Sequence, residues 1–183
     1  MKKFFPMVFV SVILAAMLVS QMLINGQELS ASQLEGNKER YSVYENQFKK
    51  FRARDSKGEL VNLNKVSQSI VIINFWASWC TPCIAEFKSL NKLIEKYGDK
   101  VYVIGINTDE DKPTKTIRKV EDEYSLKFSS VQDPNHDYAS KFNITKIPSS
   151  IVYYKGKVLD FIDSEHDFSS DKFIKFLQKK ASL

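Results

Sequence analysis

Residues 70–97 constrain the fold more than any other part of the chain. Residues 70–76 form an almost unbroken apolar run rich in β-branched side chains, which is typical of a central strand buried on both faces. Residues 80–97 then follow helical periodicity, and a second apolar run covers residues 101–106. The order strand, helix, strand predicts a parallel pair of strands joined by a crossover helix. The apolar stripe of that helix is Cys83, Phe87, Leu90, Ile94 and Tyr97.

The only two cysteines of the chain lie where the first strand meets the helix, in Trp79-Cys80-Thr81-Pro82-Cys83. Two thiols at this spacing can close a disulfide and reopen it. Pro82 is tolerated because first-turn residues need no intrahelical N–H bond. The pattern therefore predicts a redox-active Cys80–Cys83 disulfide and thiol–disulfide exchange.

The two cysteines are expected to have different tasks. Cys80 lies at the helix N-terminus, where unpaired N–H groups and the helix dipole favour the thiolate, so we expect it to be exposed and to attack. Cys83 lies one turn later on the apolar stripe, so we expect it to be shielded and to resolve the mixed disulfide.

A static disulfide or half of a zinc site is the alternative interpretation of the cysteine pair. A structural zinc site needs about two further ligands. The chain offers only His136 and His166, which belong to no clustered motif and are expected at the surface. We therefore predict neither a metal nor a cofactor.

The first residues look like an export signal. Lys2 and Lys3 precede an apolar run over residues 4–24, and the next basic residue is Lys38. A run of about 20 residues suffices to span a bilayer, and the positive-inside rule then places the rest of the chain outside the cytoplasm. We favour a retained anchor over a cleaved signal, with the domain facing the periplasm or the extracellular side. Cleavage would give a soluble periplasmic protein.

The chain divides into an N-terminal signal or membrane anchor (1–26), a polar tether (27–46) and one folded domain (47–183). The domain is predicted to begin with a short hairpin. The other predicted elements are helices at 114–124 and 135–142, a hairpin over 150–162 and a last helix starting near Ser169 or Ser170. The formal net charge is +5, but charges of both signs are interspersed, so no nucleic acid partner is expected.

The segment Asn74-Phe75-Trp76-Ala77-Ser78-Trp79-Cys80-Thr81-Pro82-Cys83, followed by Glu86 and later by Ile147-Pro148, resembles the thioredoxin superfamily. Within it, Asn74 and Glu86 are similar to the extracytoplasmic TlpA/ResA-type branch. The resemblance covers most of residues 48–183. It implies an α/β thioredoxin-like fold, with a central mixed sheet flanked by helices and an added N-terminal hairpin.

The resemblance also implies roles for four residues. Pro148 would be cis beside the cysteines, with the backbone of Ile147 offered to an extended substrate and Trp79 as an aromatic wall. Glu86 shares a helix face with Cys83, and burial there would raise its pKa and let it exchange a proton with the thiol. The structural alternatives are a trans proline opening an edge strand, a tryptophan that only packs, and a surface glutamate.

The expected activity is that of an extracytoplasmic thiol–disulfide oxidoreductase. It would reduce disulfides of exported proteins, such as apocytochrome c during cytochrome c maturation, and a membrane thiol electron donor would re-reduce it. The alternatives are a thiol oxidase or general disulfide exchanger, because the chemistry runs both ways, and a non-catalytic thioredoxin-like binding module. A peroxidase is disfavoured because neither cysteine lies in a peroxiredoxin-type motif.

Overall fold

The computed structural model describes residues 5–181 and 183, with side chains described over 12–23, 38–181 and 183. Contacts divide the chain into two units, Met1–Ser42 and Val43–Leu183. A first helix, α1 (Phe5–Lys50), runs through the end of the first unit and into the second. The polar segment 27–46, expected as a tether from its composition, is therefore helical in its backbone.

The N-terminal apolar run lies partly outside the described residues, since no side chain before residue 12 or between 24 and 37 is described. Within the part of the chain that is described, no helix is both long enough and apolar enough to cross a bilayer. The anchor at residues 1–26 therefore stays a prediction.

The second unit begins with the last turns of α1, which pack on the sheet. Tyr44 stacks on Phe161 with ring centroids 5.4 Å apart, and Phe48 lies 4.6 Å from the ring of Tyr153. An antiparallel hairpin follows, made of β1 (Arg52–Arg54) and β2 (Leu60–Asn62). This is the N-terminal hairpin that the sequence predicts.

A five-stranded mixed sheet, in the order β5-β4-β3-β6-β7, forms the centre of the second unit. β3 lies in the middle, parallel to β4 and antiparallel to β6, so the predicted parallel pair is confirmed. The bounds are β3 (Ile70–Trp76), β4 (Val101–Asn107), β5 (Ser130–Gln132), β6 (Ser149–Tyr154) and β7 (Lys157–Ile162). The sequence analysis did not predict β5, which pairs with only the last three residues of β4.

Four helices complete this unit: α2 (Thr81–Tyr97), α3 (Pro113–Glu123), α4 (Asp137–Lys141) and α5 (Asp171–Ala181). They begin and end within a few residues of the predicted bounds. The inner face of α2 packs on β3, where every residue is buried. The centre of this core is formed by Ile70, Ile72, Phe87, Leu90, Val103 and Val152. A buried central strand leading directly into α2 fixes where the two cysteines lie.

Candidate active site

The two cysteines form a disulfide at the start of α2. Cys80 is the N-cap residue of the helix, and the backbone N–H of Cys83 donates to its sulfur at 3.3 Å. A sulfur that already accepts a helix N–H is placed to carry negative charge once the disulfide is reduced. Cys83 lies one turn into the helix and is completely buried.

The expected exposure of Cys80 is wrong for the disulfide form, since this residue is only 5% exposed. Its backbone and its sulfur are both engaged within the same turn. Its N–H donates to Ala77 O, its carbonyl accepts from the Ile84 N–H, and its sulfur is bonded to Cys83. Cys80 is still the more accessible of the two cysteines, because Cys83 is 0% exposed.

Glu86 lies in α2 three residues after Cys83 and is more deeply buried than the sequence suggests, with 2% exposure. Its Oε2 accepts from Asn74 Nδ2 at 3.1 Å, and its Oε1 accepts from the backbone N–H of His166 at 2.8 Å. Burial raises the pKa of Glu86 to about 7, and these two hydrogen bonds oppose the rise only in part. A carboxyl group with this pKa can take up or release a proton near neutral pH.

Asn74 connects Glu86 to the sheet. Its Nδ2 also donates to Ser150 Oγ at 2.9 Å, whereas its Oδ1 is buried without a hydrogen-bond partner among the described residues. A rotation of the Asn74 amide by half a turn would present that oxygen to Glu86. Since a protonated carboxyl donates where a carboxylate only accepts, this amide can serve both protonation states of Glu86.

The expectation that both histidines lie at the surface is correct for His136 and wrong for His166. The His136 side chain is 47% exposed. His166 is half-buried, and its Nε2 is buried without a partner among the described residues. The reason is a loop contact: the chain after β7 lies against α2, where the His166 N–H reaches Glu86. Sequence periodicity gives no signal for such a contact.

Asp109 is a site residue that the sequence analysis missed. Its carboxylate is 6% exposed, accepts the Ser78 N–H at 3.0 Å and the Ser78 hydroxyl at 3.0 Å, and accepts from Asn107 Nδ2 at 2.7 Å. These bonds fix the loop that leads from β3 into Cys80. The available signal is position, because Asp109 directly follows the carboxyl end of a buried strand beside β3.

The Ile147–Pro148 peptide bond is cis, as predicted from the resemblance. Pro148 is buried and Ile147 is half-buried at the start of β6. Trp79 is 72% exposed immediately before Cys80. Trp76 is fully buried and donates from Nε1 to Ser130 Oγ at 3.2 Å, so it is a core residue.

A cavity of about 440 Å³ lies between the start of α2 and α3. Ser78 and Ile84, which flank the cysteines in the sequence, form one side of it. Three lysines of α3 and of the residue before it contribute to the other side, namely Lys112, Lys115 and Lys119. Among the residues whose side chains are described, no three His, Cys, Asp or Glu side chains lie close enough together to hold a metal ion.

Comparison with known proteins assigns the family. Residues 44–162 match the AhpC/TSA family, and the chain belongs to it. The thiol-disulfide oxidoreductase ResA of Bacillus thuringiensis subsp. konkukian is 30% identical over 132 residues, which cover 70% of this chain and 73% of ResA. The predicted resemblance to the ResA-type branch of the thioredoxin superfamily is confirmed.

Two further similarities support the fold. The thioredoxin-like protein YneN of Bacillus subtilis is 34% identical over 115 residues, and the match spans 60% of this chain but only 65% of YneN. A thioredoxin-like protein from Aeropyrum pernix has a crystal structure that superposes with a TM-score of 0.59 at 27% identity, covering 79% of this chain and 98% of that one. The thioredoxin-like α/β fold predicted from the sequence is confirmed.

Proposed function

We propose that this protein is an extracytoplasmic thiol–disulfide oxidoreductase that reduces disulfides of exported proteins. One observation carries the proposal: the Cys80–Cys83 disulfide lies at the N-terminus of α2, and a buried carboxyl group with a pKa of about 7, Glu86, follows three residues later on the same helix. A disulfide that only stabilised the fold would need neither the helix N-terminus nor Glu86. The names of the relatives ResA and YneN agree with this chemistry.

The reaction begins with both cysteines reduced. The Cys80 thiolate attacks one sulfur of the client disulfide, which forms a Cys80–client bond and releases the other client sulfur as a thiolate. Cys83, once deprotonated, attacks Cys80 and releases the second client thiolate. Two electrons pass to the client and two protons follow, and the protein is left with the Cys80–Cys83 disulfide. A membrane thiol donor restores the dithiol.

Glu86 supplies the proton chemistry of the second step in this scheme. Cys83 is completely buried, and a buried thiol resists ionisation because the thiolate loses its hydration. Glu86 lies three residues further on the same helix face. With a pKa of about 7 it can accept the Cys83 proton and release it again between turnovers.

We expect the client to bind at the surface around the disulfide. Trp79 offers an exposed aromatic face, and Ile147 precedes a buried cis proline at the start of β6, where its backbone could meet an extended polypeptide. We assign Trp79, Ile147 and Pro148 to substrate binding. A protein client is proposed because an exposed aromatic side chain and a backbone segment that leads into a strand both suit a polypeptide.

The proposed location rests on the N-terminal sequence. Lys2, Lys3 and the apolar run 4–24 would export the domain and keep it at the membrane, or release it into the periplasm if the run is cleaved. Apocytochrome c is the proposed client because the chain is similar to ResA-type proteins. Protease added outside cells that express the chain should digest the domain. A mainly cytoplasmic pool would contradict the location.

Trapping of the mixed disulfide tests the proposed chemistry. Cys83→Ala removes the resolving thiol, so adducts through Cys80 should accumulate on non-reducing gels after an acid quench. Cys80→Ala removes attack and should trap nothing. Adducts mainly from Cys80→Ala would reverse the two roles. A wild-type chain that fails to reduce insulin and traps no partner would favour the non-catalytic binding module instead.

A further inference from the structure

The loop between β7 and α5 closes over Glu86. Besides the 2.8 Å hydrogen bond from the His166 N–H to Glu86 Oε1, the Phe168 N–H donates to Ser89 Oγ at 3.1 Å. Both acceptors belong to α2, one turn apart. The loop is therefore attached to the helix at two points, and the first of them is the carboxyl group assigned to proton transfer.

The ring of His166 is held by aromatic edges and not by polar partners. Its centroid lies 5.0 Å from that of Phe168 and 5.1 Å from that of Phe173, both in edge-to-face geometry. Its Nε2 is buried with no hydrogen-bond partner among the described residues. An imidazolium needs acceptors for both N–H groups, so this environment favours the neutral ring. Burial accordingly lowers the pKa of His166.

We propose that His166 is a positioning residue for Glu86: its neutral ring packs against Phe168 and Phe173, which also contact each other, keeps the loop closed, and so excludes water from the carboxyl group. The His166 N–H then meets Glu86 Oε1 in a fixed position. The inference rests on the proposed function only in its consequence for the thiols. The geometry itself concerns a carboxyl group, a loop and an aromatic pocket.

Charged groups around the loop also affect the pKa values of Glu86 and His166, but less than burial does. Glu165 raises the pKa of Glu86, and this effect is smaller than that of burial. Asp160 and Asp167 raise the pKa of His166 and so oppose the effect of burial, whereas Lys172 lowers it further. A cavity of about 230 Å³ between the loop and α2 is also lined by charged residues of both signs, Lys88, Lys92, Glu165 and Asp167, and Glu86 is not among its lining residues. Burial is the largest cause of the pKa shift at both groups, so opening the loop should move the pKa of Glu86 towards its ordinary value.

Carboxyl ¹³C NMR on the whole chain in its disulfide form tests this directly, with Glu86→Gln to assign the resonance. His166→Ala should let water reach Glu86 and raise its ionisation constant about tenfold, because desolvation is the main cause of its weak acidity. His166→Phe fills the same space without a titrating group and should leave the constant within about twofold of wild type. His136→Ala, at the exposed histidine, is the matched control and should change nothing.

No change in His166→Ala, or a weaker acid, would overturn the proposal. So would a shift of about tenfold in His166→Phe, which also decides the matter if the alanine variant does not fold. The reduced chain separates this inference from the proposed function, by alkylation of the thiols across pH. If the ionisation constant of Glu86 changes in His166→Ala while the pH profile of the thiols does not, the positioning role of His166 stands. The proposed proton transfer between Glu86 and Cys83 is then wrong.

Discussion

The two halves of the central strands β3 and β4 carry different kinds of side chain. In the first half, Ile70–Ile73 pair with Val101–Ile104, and the facing side chains are almost all apolar and buried. In the second half, Asn74 pairs with Gly105 and Trp76 with Asn107. Buried polar side chains begin there: Asn74 donates to Glu86, and Asn107 donates to Asp109, which holds the loop that leads to Cys80.

The comparison shows how one continuous sheet separates stability from chemistry. In the apolar half, stability depends on side-chain volume, because truncating a residue there loses burial and leaves a cavity. In the polar half, stability depends on hydrogen-bond partners, because a buried polar group without a partner costs free energy. Asp109 and Glu86 both accept hydrogen bonds that fix the loops around the disulfide.

The sharpest way to break the comparison is to change one residue in each half. Cys80→Ala, at the polar end, should reduce insulin reduction to the uncatalysed rate, because no thiol is left to attack. Ile72→Ala, in the apolar half, should keep the wild-type rate per folded molecule. Insulin turbidity assays on both variants, corrected for the folded fraction, measure this. Residual turnover in Cys80→Ala would move the attacking role to Cys83.

Ile72→Ala is expected to have the larger effect on stability. Ile72 is 0% exposed between α2 and its neighbouring strands, so its truncation should cost about 2–5 kcal/mol in the free energy of unfolding. Leu60, which is 65% exposed in β2, is the control, and Leu60→Ala should stay within about 0.5 kcal/mol of wild type. Urea unfolding of the disulfide form gives both values. Equal costs at the two positions would contradict the assignment of Ile72 to the packing half.

Glu86→Gln sharpens the comparison at the polar end through pH. The pKa of Glu86 is about 7 when folded against 4.5 when exposed, so the unfolded chain ionises first. The contribution of Glu86 to stability is therefore complete below pH 4.5 and is lost as the pH rises through 7. The glutamine variant lacks this loss. The difference in unfolding free energy, variant minus wild type, should rise by about 3 kcal/mol between pH 4 and pH 8.

Urea titrations at several pH values measure how this difference in unfolding free energy changes with pH. Alkylation of the thiols across pH measures the effect of Glu86 on their reactivity. Glu121 provides a matched control, since burial also raises its pKa, but its carboxylate accepts from Ser56 and Ser130. Glu121→Gln should leave the pH profile of the thiols unchanged, whereas Glu86→Gln should alter it. Identical thiol profiles in the two variants would make Glu86 a structural residue only.

Trp79→Ala should have the smallest effect on stability. The side chain is 72% exposed, so its removal should change the unfolding free energy by no more than about 0.5 kcal/mol. If Trp79 contacts the client, the KM for a protein disulfide should rise while the rate with dithiothreitol stays the same. An unchanged KM would remove Trp79 from the proposed binding surface.

The local part of this architecture follows from the sequence. The β3–α2 unit is visible in the switch from an apolar run to helical spacing at Cys80. The turn between β6 and β7 is equally local, since Lys155 and Gly156 adopt positive φ angles of 50° and 76° as a tight hairpin requires. The three-residue β5 has too little pattern of its own, because its existence depends on pairing with β4.

The site was predictable where one helix or strand carries it, and not where loops meet. Spacing on α2 indicates that Glu86 faces inward with Cys83, and the structure places Glu86 at 2% exposure. The burial of Cys80 at the junction of β3 and α2, where it is 5% exposed, is not visible in helical spacing. The position of His166 depends on a contact with a helix eighty residues away in the sequence, which periodicity does not encode.

The most direct test of the account is a redox titration of the cysteine pair in the whole chain under native conditions. The protein is equilibrated with dithiothreitol buffers of graded ratio, alkylated in acid and weighed by mass spectrometry. The account predicts one reversible two-electron transition, with both Cys80 and Cys83 alkylated in the reduced state and neither in the oxidised state. A disulfide that is reduced only after the protein is unfolded would contradict it, and would make the Cys80–Cys83 bond a static cross-link.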